Sequence, residues 1–407
     1  MRRELIFAAI VFIGALTIGG RALAQEGGPS CQAPAEALTS FGIRRNDLAI
    51  VLRKGDKPAR LEGLQSYRYV RFFVEVSNWR AAQWRLVIRD IEARPLQVID
   101  KTHLAARNEA AGAKSAVWTR RFGDLAGLSF ELVADGPQAD DVIVRFPEYV
   151  AVPAQRDQPF YSIFGDEPAW REVHKSGLTD AWRKRSDSVG MIFAGREREN
   201  WCCSGVVIGW AGDKDVLFLT NDHCGAPVGQ GDAWSPQACE SAIVDFSWDG
   251  DAIPWEYSCA RAKRLPELDL AVLRLQPTPG MTDARPPPAR FSQGRARDVA
   301  PPGRKELTIF HHAQCGPKFV TDQCEVIGYD RPGRRAGGRP IEFAHRCDTE
   351  SGSSGAPIFG YDGAVLGVHR AGFLEEKNGC TRENFAIDVT QQYVRERIDA
   401  AVASLAE

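Results

Sequence analysis

Two metal-binding signatures are missing from this 407-residue chain: it has no C-x-x-C pair and no H-E-x-x-H run, which leaves zinc little support. Histidine is scarce, with seven residues, so imidazole chemistry has few places to sit. No long block of like charge occurs and the formal net charge is −2, so charge suggests no nucleic-acid partner and no acidic substrate. Beyond the first two dozen residues no stretch is apolar and long enough to cross a bilayer. No internal repeat is visible. What remains is ordinary globular material, 44% hydrophobic and 26% charged, long enough for two or three cores.

The N-terminus carries the first positive signal. Arg2 and Arg3 precede an apolar run from Leu5 to Ile18, followed by Ala22-Leu23-Ala24. A basic region, an apolar region and an A-x-A site in that order describe a secretory signal peptide, residues 1–24, cut before Gln25. The competing reading, a membrane anchor, suits so short a run less well. All ten cysteines lie beyond the cut, and an even number in an exported chain points to disulfides. A secreted or periplasmic protein is expected.

Residues 25 to about 60 are rich in Ala, Gly and Pro and show no pattern. From about 61 to 150 the chain reads as strands: Tyr67–Val76 is β-branched and aromatic, and Trp84, Leu86 and Ile88 alternate with Arg85 and Arg89. This predicts a small β-sandwich. Residues 151–185 form a Pro- and charge-rich connector ending in Arg183-Lys184-Arg185. From Ser188 the pattern returns to short strands and turns, now with cysteines. A final helix is predicted, capped by Thr390, with Val394, Ile398, Val402 and Leu405 on one face. The expected division is signal 1–24, N-terminal β-rich region with connector 25–185, and C-terminal domain 186–407.

Three motifs in the last segment carry chemistry. The strongest is Gly352-Ser353-Ser354-Gly355-Ala356-Pro357. A serine hydroxyl is a poor nucleophile at neutral pH and needs a base and a stabilised oxyanion. Small residues let the backbone turn tightly and aim N–H groups inward, here those of Gly352 and Ser354. A Gly/Ser turn alone is common in loops, but this one is followed by the apolar strands Ile358-Phe359 and Val365–Val368. His223 follows the apolar run Leu217–Thr220, and Cys224 after it can tie the turn to Cys203. Asp269 stands at the mouth of Leu270–Leu275, where a buried carboxylate can fix an imidazole tautomer. Asp245 and Asp249 compete for that role, but neither precedes so clean a strand. The order His, Asp, Ser, with spacings of 46 and 85 residues, is more specific than any member.

On these residues the segment from about 188 to 400 resembles the bacterial trypsin-like serine endopeptidases. The lysyl endopeptidases are closest, matched at Cys203-Ser204-Gly205, Phe218-Leu219-Thr220, His223-Cys224-Gly225, Ile309-Phe310-His311-His312 and Thr349–Phe359. Thr220-Asn221-x-His223 is also similar to the glutamyl branch. The resemblance implies an all-β fold of two six-stranded antiparallel barrels with a C-terminal helix. It implies cofactor-free hydrolysis of a polypeptide by a monomer, through an acyl-enzyme on Ser354 with His223 as base and Asp269 as its orienter. His311 and His312 match a structural strand.

The chain departs from digestive trypsins at Ser353, where they carry the Asp that pairs with a newly cut N-terminus. That switch cannot operate here. Activation, if needed, is expected to involve removal of 25–185 as a propeptide, with Arg183-Lys184-Arg185 as a processing site; a solvated basic patch is the equal alternative. For substrate binding, His369 lies fifteen residues after Ser354, the glutamyl-branch spacing, with Arg370 beside it. Thr349, Glu350, Glu383 and Asp348 suit the lysyl branch or its pocket wall. Basic P1 residues are favoured on the closer overall match, with glutamyl specificity as the alternative. The pairings expected are Cys203–Cys224, which anchors the histidine loop in this family, the local closures Cys239–Cys259 and Cys315–Cys324, then Cys347–Cys380 and Cys31–Cys202. Rival readings are a silent binding protein on the same fold and an N-terminal targeting module using Trp79 and Trp84. An esterase lacks its strand–G-x-S-x-G–helix setting here.

Overall fold

The computed structural model describes residues 43–45 and 48–406, apart from 103, 105–115, 124–125, 154–161, 197–198, 227–232, 250–254, 279–283, 330–334, 337–338 and 373–382. The expected signal peptide, Cys31 and Cys380 therefore lie outside the described residues.

The N-terminal region is the expected sandwich. Tyr67–Ser77 and Ile143–Pro153 pair antiparallel at the centre of a five-stranded sheet, and Gln83–Asp90 pairs with Gly127–Asp135 in a four-stranded one. One apolar cluster joins them: Val70, Phe72 and Val144 from the first meet Leu86, Ile88 and Phe130 from the second. Alternation along Gln83–Asp90 delivers this, since Trp84, Leu86 and Ile88 face inward while Gln83 and Arg85 face water. Trp79 and Trp84 are core residues of that cluster, which removes them as an exposed aromatic binding surface.

The C-terminal region begins with a closed barrel of six antiparallel strands: Val189–Arg196, Glu199–Ala211, Asp215–Thr220, Leu270–Pro277, Glu256–Leu265 and Ile243–Asp245. Leu270–Pro277 shows why these strands read as unbroken apolar runs. Ala271, Leu273 and Leu275 fill the barrel with Phe218 and Val244, while Leu270 and Val272 face out against the helix residues Val394 and Ile398. Both faces are buried, so both must be apolar. The second half is an open eight-stranded sheet rather than a second closed six-stranded barrel among the described residues. Its centre runs Leu307–His311, Pro357–Phe359, Val365–Gly372, Asn384–Asp388 and Glu342–His345.

The helix spans Gln392–Ala406 and buries Val394, Ile398, Ala401 and Leu405. Thr390 does not serve as its cap as expected: its hydroxyl donates to Asp388 and accepts the N–H of Ala296. The connector is also more structured than expected. Arg171–Glu172 adds an edge strand beside Phe319–Cys324, and Arg183, Lys184 and Arg185 sit on a helix, Asp180–Ser186.

The four described disulfides correct three of the expected pairings. Cys203–Cys224 and Cys239–Cys259 form as expected. Cys202 pairs with Cys315, not Cys31, and Cys324 pairs with Cys347, so neither Cys315–Cys324 nor Cys347–Cys380 exists. The reason is geometric. Phe319–Cys324 is an extended strand, rising about 3.3 Å per residue, which carries Cys324 too far from Cys315 for the roughly 7 Å limit between bridged Cα atoms. Neighbouring Cys202 and Cys203 point to opposite faces of their strand, one outward to Cys315 and one into the barrel.

Candidate active site

His223 opens a single 3-10 turn, His223–Gly225, at the end of the Asp215–Thr220 strand. The adjacent Cys203–Cys224 bridge pins that turn to the neighbouring strand. Asp269 sits one residue before Leu270–Pro277, the strand paired with Asp215–Thr220, so sheet register brings it to His223. Its carboxylate accepts the His223 backbone N–H at 3.1 Å and faces Nδ1 at 3.0 and 3.1 Å. Both residues are buried, at 8% and 3% exposure. Further contacts fix the Asp269 backbone: its carbonyl accepts from Asn221 Nδ2 at 3.0 Å and from Asp222 N–H at 3.1 Å. Asp269 itself adopts φ +54°, a left-handed conformation costly for most residues and tolerated best by Asn and Asp. Strain of this kind persists where surrounding contacts over-determine the backbone.

With Asp269 occupying one side of the ring, Nδ1–H donates to the carboxylate and Nε2 is left as the basic nitrogen. The competing carboxylates are committed elsewhere. Burial would raise the Asp245 carboxyl, but Arg121 beside it and the Ser247 hydroxyl and N–H hold it below its ordinary value. Asp249 is paired with the fully buried Lys318 at 2.6 Å.

The serine motif approaches from the second sheet. Ser354 carbonyl accepts the Ser204 N–H at 2.8 Å and lies 3.8 Å from Cys224 Sγ, which places the Ser354 backbone beside the residue that follows His223. Ser354 Oγ is oriented toward the Arg370 carbonyl at 3.5 Å. Gly355 is required by this approach: at φ +87°, a Cβ there would lie 2.1 Å from the Ser204 carbonyl. Ahead of the serine, Ser353 N–H donates to Glu350 O at 2.8 Å and Gly352 has φ +95°. An i to i+3 bond with positive φ at the third residue marks a type II turn. The Ser351 carbonyl in that turn accepts from Gln314 N–H at 2.6 Å. Carbonyl and N–H of one trans peptide point in opposite directions, so the Gly352 N–H faces away from Gln314.

Ser353 is locked without charge. Its hydroxyl accepts the Glu350 N–H at 3.1 Å and donates to His311 Nδ1 at 2.7 Å. His311 Nε2 then donates to Thr321 Oγ1, which donates to the Asp348 carbonyl. Burial, with His369 and His312 nearby, holds the His311 imidazole well below its ordinary value and so neutral. His312 is likewise held down to about 3 by burial and Lys318, and donates from Nδ1 to Gly316 O.

The expected substrate-binding residues divide. Arg370 is buried against Glu342, Nε to Oε1 2.5 Å, and is neutralised there. Asp348 uses both oxygens on the backbone N–H groups of Phe164 and Ala169. Glu350 accepts the Ser351 N–H at 2.9 Å. Glu383 is buried next to Asn384, which registers with Gly372. Thr349 Oγ1 accepts from Asn384 Nδ2 at 3.0 Å, and His369 Nδ1 faces His345 Nε2 at 3.2 Å. Ser162 of the connector lies at the same base, its carbonyl accepting from Thr349 N–H and Asn384 Nδ2. Sequence reasoning missed His345, Ser162 and Gln314. The last two act through backbone atoms and leave no residue-type signal.

The family model described as trypsin-like peptidase domain matches residues 203–368, and the closed barrel, the open sheet and the terminal helix have the trypsin-like fold. No curated protein matches the chain. Among solved structures, the Rv3671c protease from M. tuberculosis in its active form is 20% identical over 62% of this chain and 92% of that one, with TM-score 0.38. The serine endoprotease from Yersinia pestis is 15% identical over 56% and 68%, TM-score 0.38. The HtrA-type protease AlgW with tripeptide is 17% identical over 55% and 63%, TM-score 0.37.

Proposed function

We propose that the protein is an exported serine endopeptidase that hydrolyses polypeptides through an acyl-enzyme on Ser354. The observation that carries this is the buried Asp269 carboxylate on His223 Nδ1, next to the Ser354 backbone. In this reading His223 Nε2 takes the Ser354 proton as Oγ attacks the scissile carbonyl, and returns it to the leaving amine. Asp269 holds the tautomer and stabilises the imidazolium. The N–H groups of Gly352 and Ser354 receive the oxyanion, a role supported by the type II turn at Glu350–Ser353. Export is supported by the leader-like first 24 residues and the four disulfides. No helix among the described residues is long and apolar enough to cross a membrane.

For the P1 side chain, the His345–His369 pair supports an acidic substrate residue, the alternative to the basic one expected from the sequence. Of the carboxylates expected near a basic P1, Asp348 has both oxygens on backbone donors, Glu350 accepts from Ser351 and Glu383 is buried. The histidines supply the opposite. Cys347 N–H donates to His345 Nδ1 at 3.2 Å, so the His345 proton sits on Nε2. That proton is donated to His369 Nδ1, which puts the His369 proton on its own Nε2. A backbone amide thereby sets His369 as a donor, the group a P1 carboxylate requires.

Two measurements test these readings. A fluorophosphonate probe is expected to label the wild-type chain and not Ser354→Ala; an unlabelled wild type with no peptide cleavage would return the silent-scaffold alternative. Peptides differing only at P1 are expected to be cleaved after Glu; cleavage after Lys or Arg alone would restore the basic assignment and leave the protease reading intact.

A further inference from the structure

We propose that Arg68, on the N-terminal sandwich, is a positioning residue for the oxyanion turn, so that the sandwich is part of the working enzyme rather than a removable propeptide. This rests on the serine-endopeptidase reading above.

The chain of contacts is short. The direction of the Gly352 N–H depends on where the Ser351 carbonyl points, and that carbonyl is held by Gln314 N–H at 2.6 Å. Gln314 is not a relaxed support. It sits at φ +58°, and Cys315 after it at φ +51°, two consecutive non-glycine residues in the left-handed region. Such a turn needs external ties. One is the Cys202–Cys315 disulfide. A second is Arg68 Nη2, which donates to the Gln314 carbonyl at 2.8 Å across 246 residues of chain. The oxyanion turn rests directly on this element: a Cβ on Gly352 would lie 2.5 Å from His312 O, 2.9 Å from Cys202 Sγ and 3.2 Å from Cys315 N.

Arg68 can serve as a fixed point because its strand is docked. Tyr69, next along Tyr67–Ser77, is buried with its ring 5.2 Å from Phe193 and 5.8 Å from Trp248 of the first barrel. Two residues further, Arg71 pairs with Glu256 of that barrel at 3.0 Å, with both side chains at most 4% exposed. A buried guanidinium–carboxylate pair between two modules resists separation, because parting them leaves charges to be re-solvated or unpaired. The sandwich therefore reaches over the first barrel and holds, through one guanidinium, the backbone that holds the oxyanion peptide. In the trypsin pattern a cut N-terminus supplies such ordering through an Asp; here Ser353 is bonded to neutral His311, and the ordering contact comes from an uncut domain.

The test uses the full chain with Arg68→Ala and Arg68→Lys. Hydrolysis of a peptide is measured beside inhibition by the matching peptide aldehyde, whose tetrahedral adduct places an oxygen in the oxyanion hole. Losing one oxyanion donor outright costs about 100- to 1000-fold in kcat, so a misaimed donor in Arg68→Ala is expected to cost about 10-fold or more. KM should hold within about twofold, and the aldehyde should weaken by the same factor as kcat/KM falls. Arg68→Lys, which keeps a cationic donor, should recover most of the rate. Wild-type kcat in Arg68→Ala, or a loss confined to KM or melting temperature, would overturn the positioning role and leave the protease reading standing. A wild type inert to peptide and to the fluorophosphonate would remove both. Should Arg68→Ala not fold, Arg68→Gln replaces it: reduced kcat with retained KM supports the role, and wild-type kcat overturns it.

Discussion

The sandwich and the peptidase domain bury their cores by different means. The sandwich relies on apolar packing: Phe72 alone meets Phe122, Phe130, Phe146 and Tyr149 within about 6 Å, and no described cysteine lies in it. The peptidase domain holds all four described disulfides and buries His311, His312, His345, His369, Lys318, Glu342 and Asp269. Buried polar groups gain stability only when hydrogen-bonded, so this second core is specified by networks and cross-links. The difference teaches where change should be felt. Alterations in the sandwich core should act on stability, and alterations in the polar networks on chemistry and pH response.

The largest expected effect sharpens that contrast at the site. Asp269→Asn keeps the size of the side chain but presents an amide to His223 Nδ1, favouring the wrong tautomer. Loss of about 10⁴-fold in kcat is expected, with a melting temperature near wild type. Steady-state kinetics and a thermal scan on one preparation decide it; a loss below about tenfold would place the orienting carboxylate elsewhere.

Next in size is the converse in the sandwich. Phe130→Ala removes a fully buried ring at the junction of the two sheets and should cost about 3–5 kcal/mol. Under native conditions kcat per active site, titrated with the fluorophosphonate, should stay within about twofold. A large fall in kcat with stability intact would break the proposed division between the two cores.

The same contrast explains what could be read from the sequence. Alternation in Trp84, Leu86 and Ile88 and the double-faced run Leu270–Leu275 are consequences of local periodicity, so the strands were legible. His223, Asp269 and Ser354 could be singled out because each stands in a turn beside an apolar strand, His223 after one and Asp269 and Ser354 before one. Connectivity was legible only for the two short-range bridges, Cys203–Cys224 and Cys239–Cys259. Cys202 and Cys315 are 113 residues apart, and their meeting depends on how the second sheet packs on the first barrel. Nor were Gln314 and Ser162 visible as contributors to the site, since they act through main-chain N–H and C=O groups that every residue type carries.

The smallest single-residue effect concerns acid. His311 and His345 are held well below the ordinary histidine value, and His312 is held at about 3, in each case first by burial. A depressed value means that the folded state keeps these rings neutral. Above pH 6.5 the unfolded chain is neutral too, so their contribution is complete there. As pH falls below 6.5 the unfolded chain binds protons that the folded chain refuses, and stability drops by at most about 1.4 kcal/mol per pH unit for each histidine. For His312 the loss continues down to about pH 3. Urea unfolding at pH 7.5 and pH 5.0 should therefore show a lower midpoint in acid for the peptidase domain. Replacing His311 by Gln should flatten the slope by the share of one histidine, because Gln can still bond to Ser353 or Thr321 yet binds no proton. The sandwich core contains no described histidine, so a slope unchanged by that substitution would mean that the acid response does not originate in the buried imidazoles.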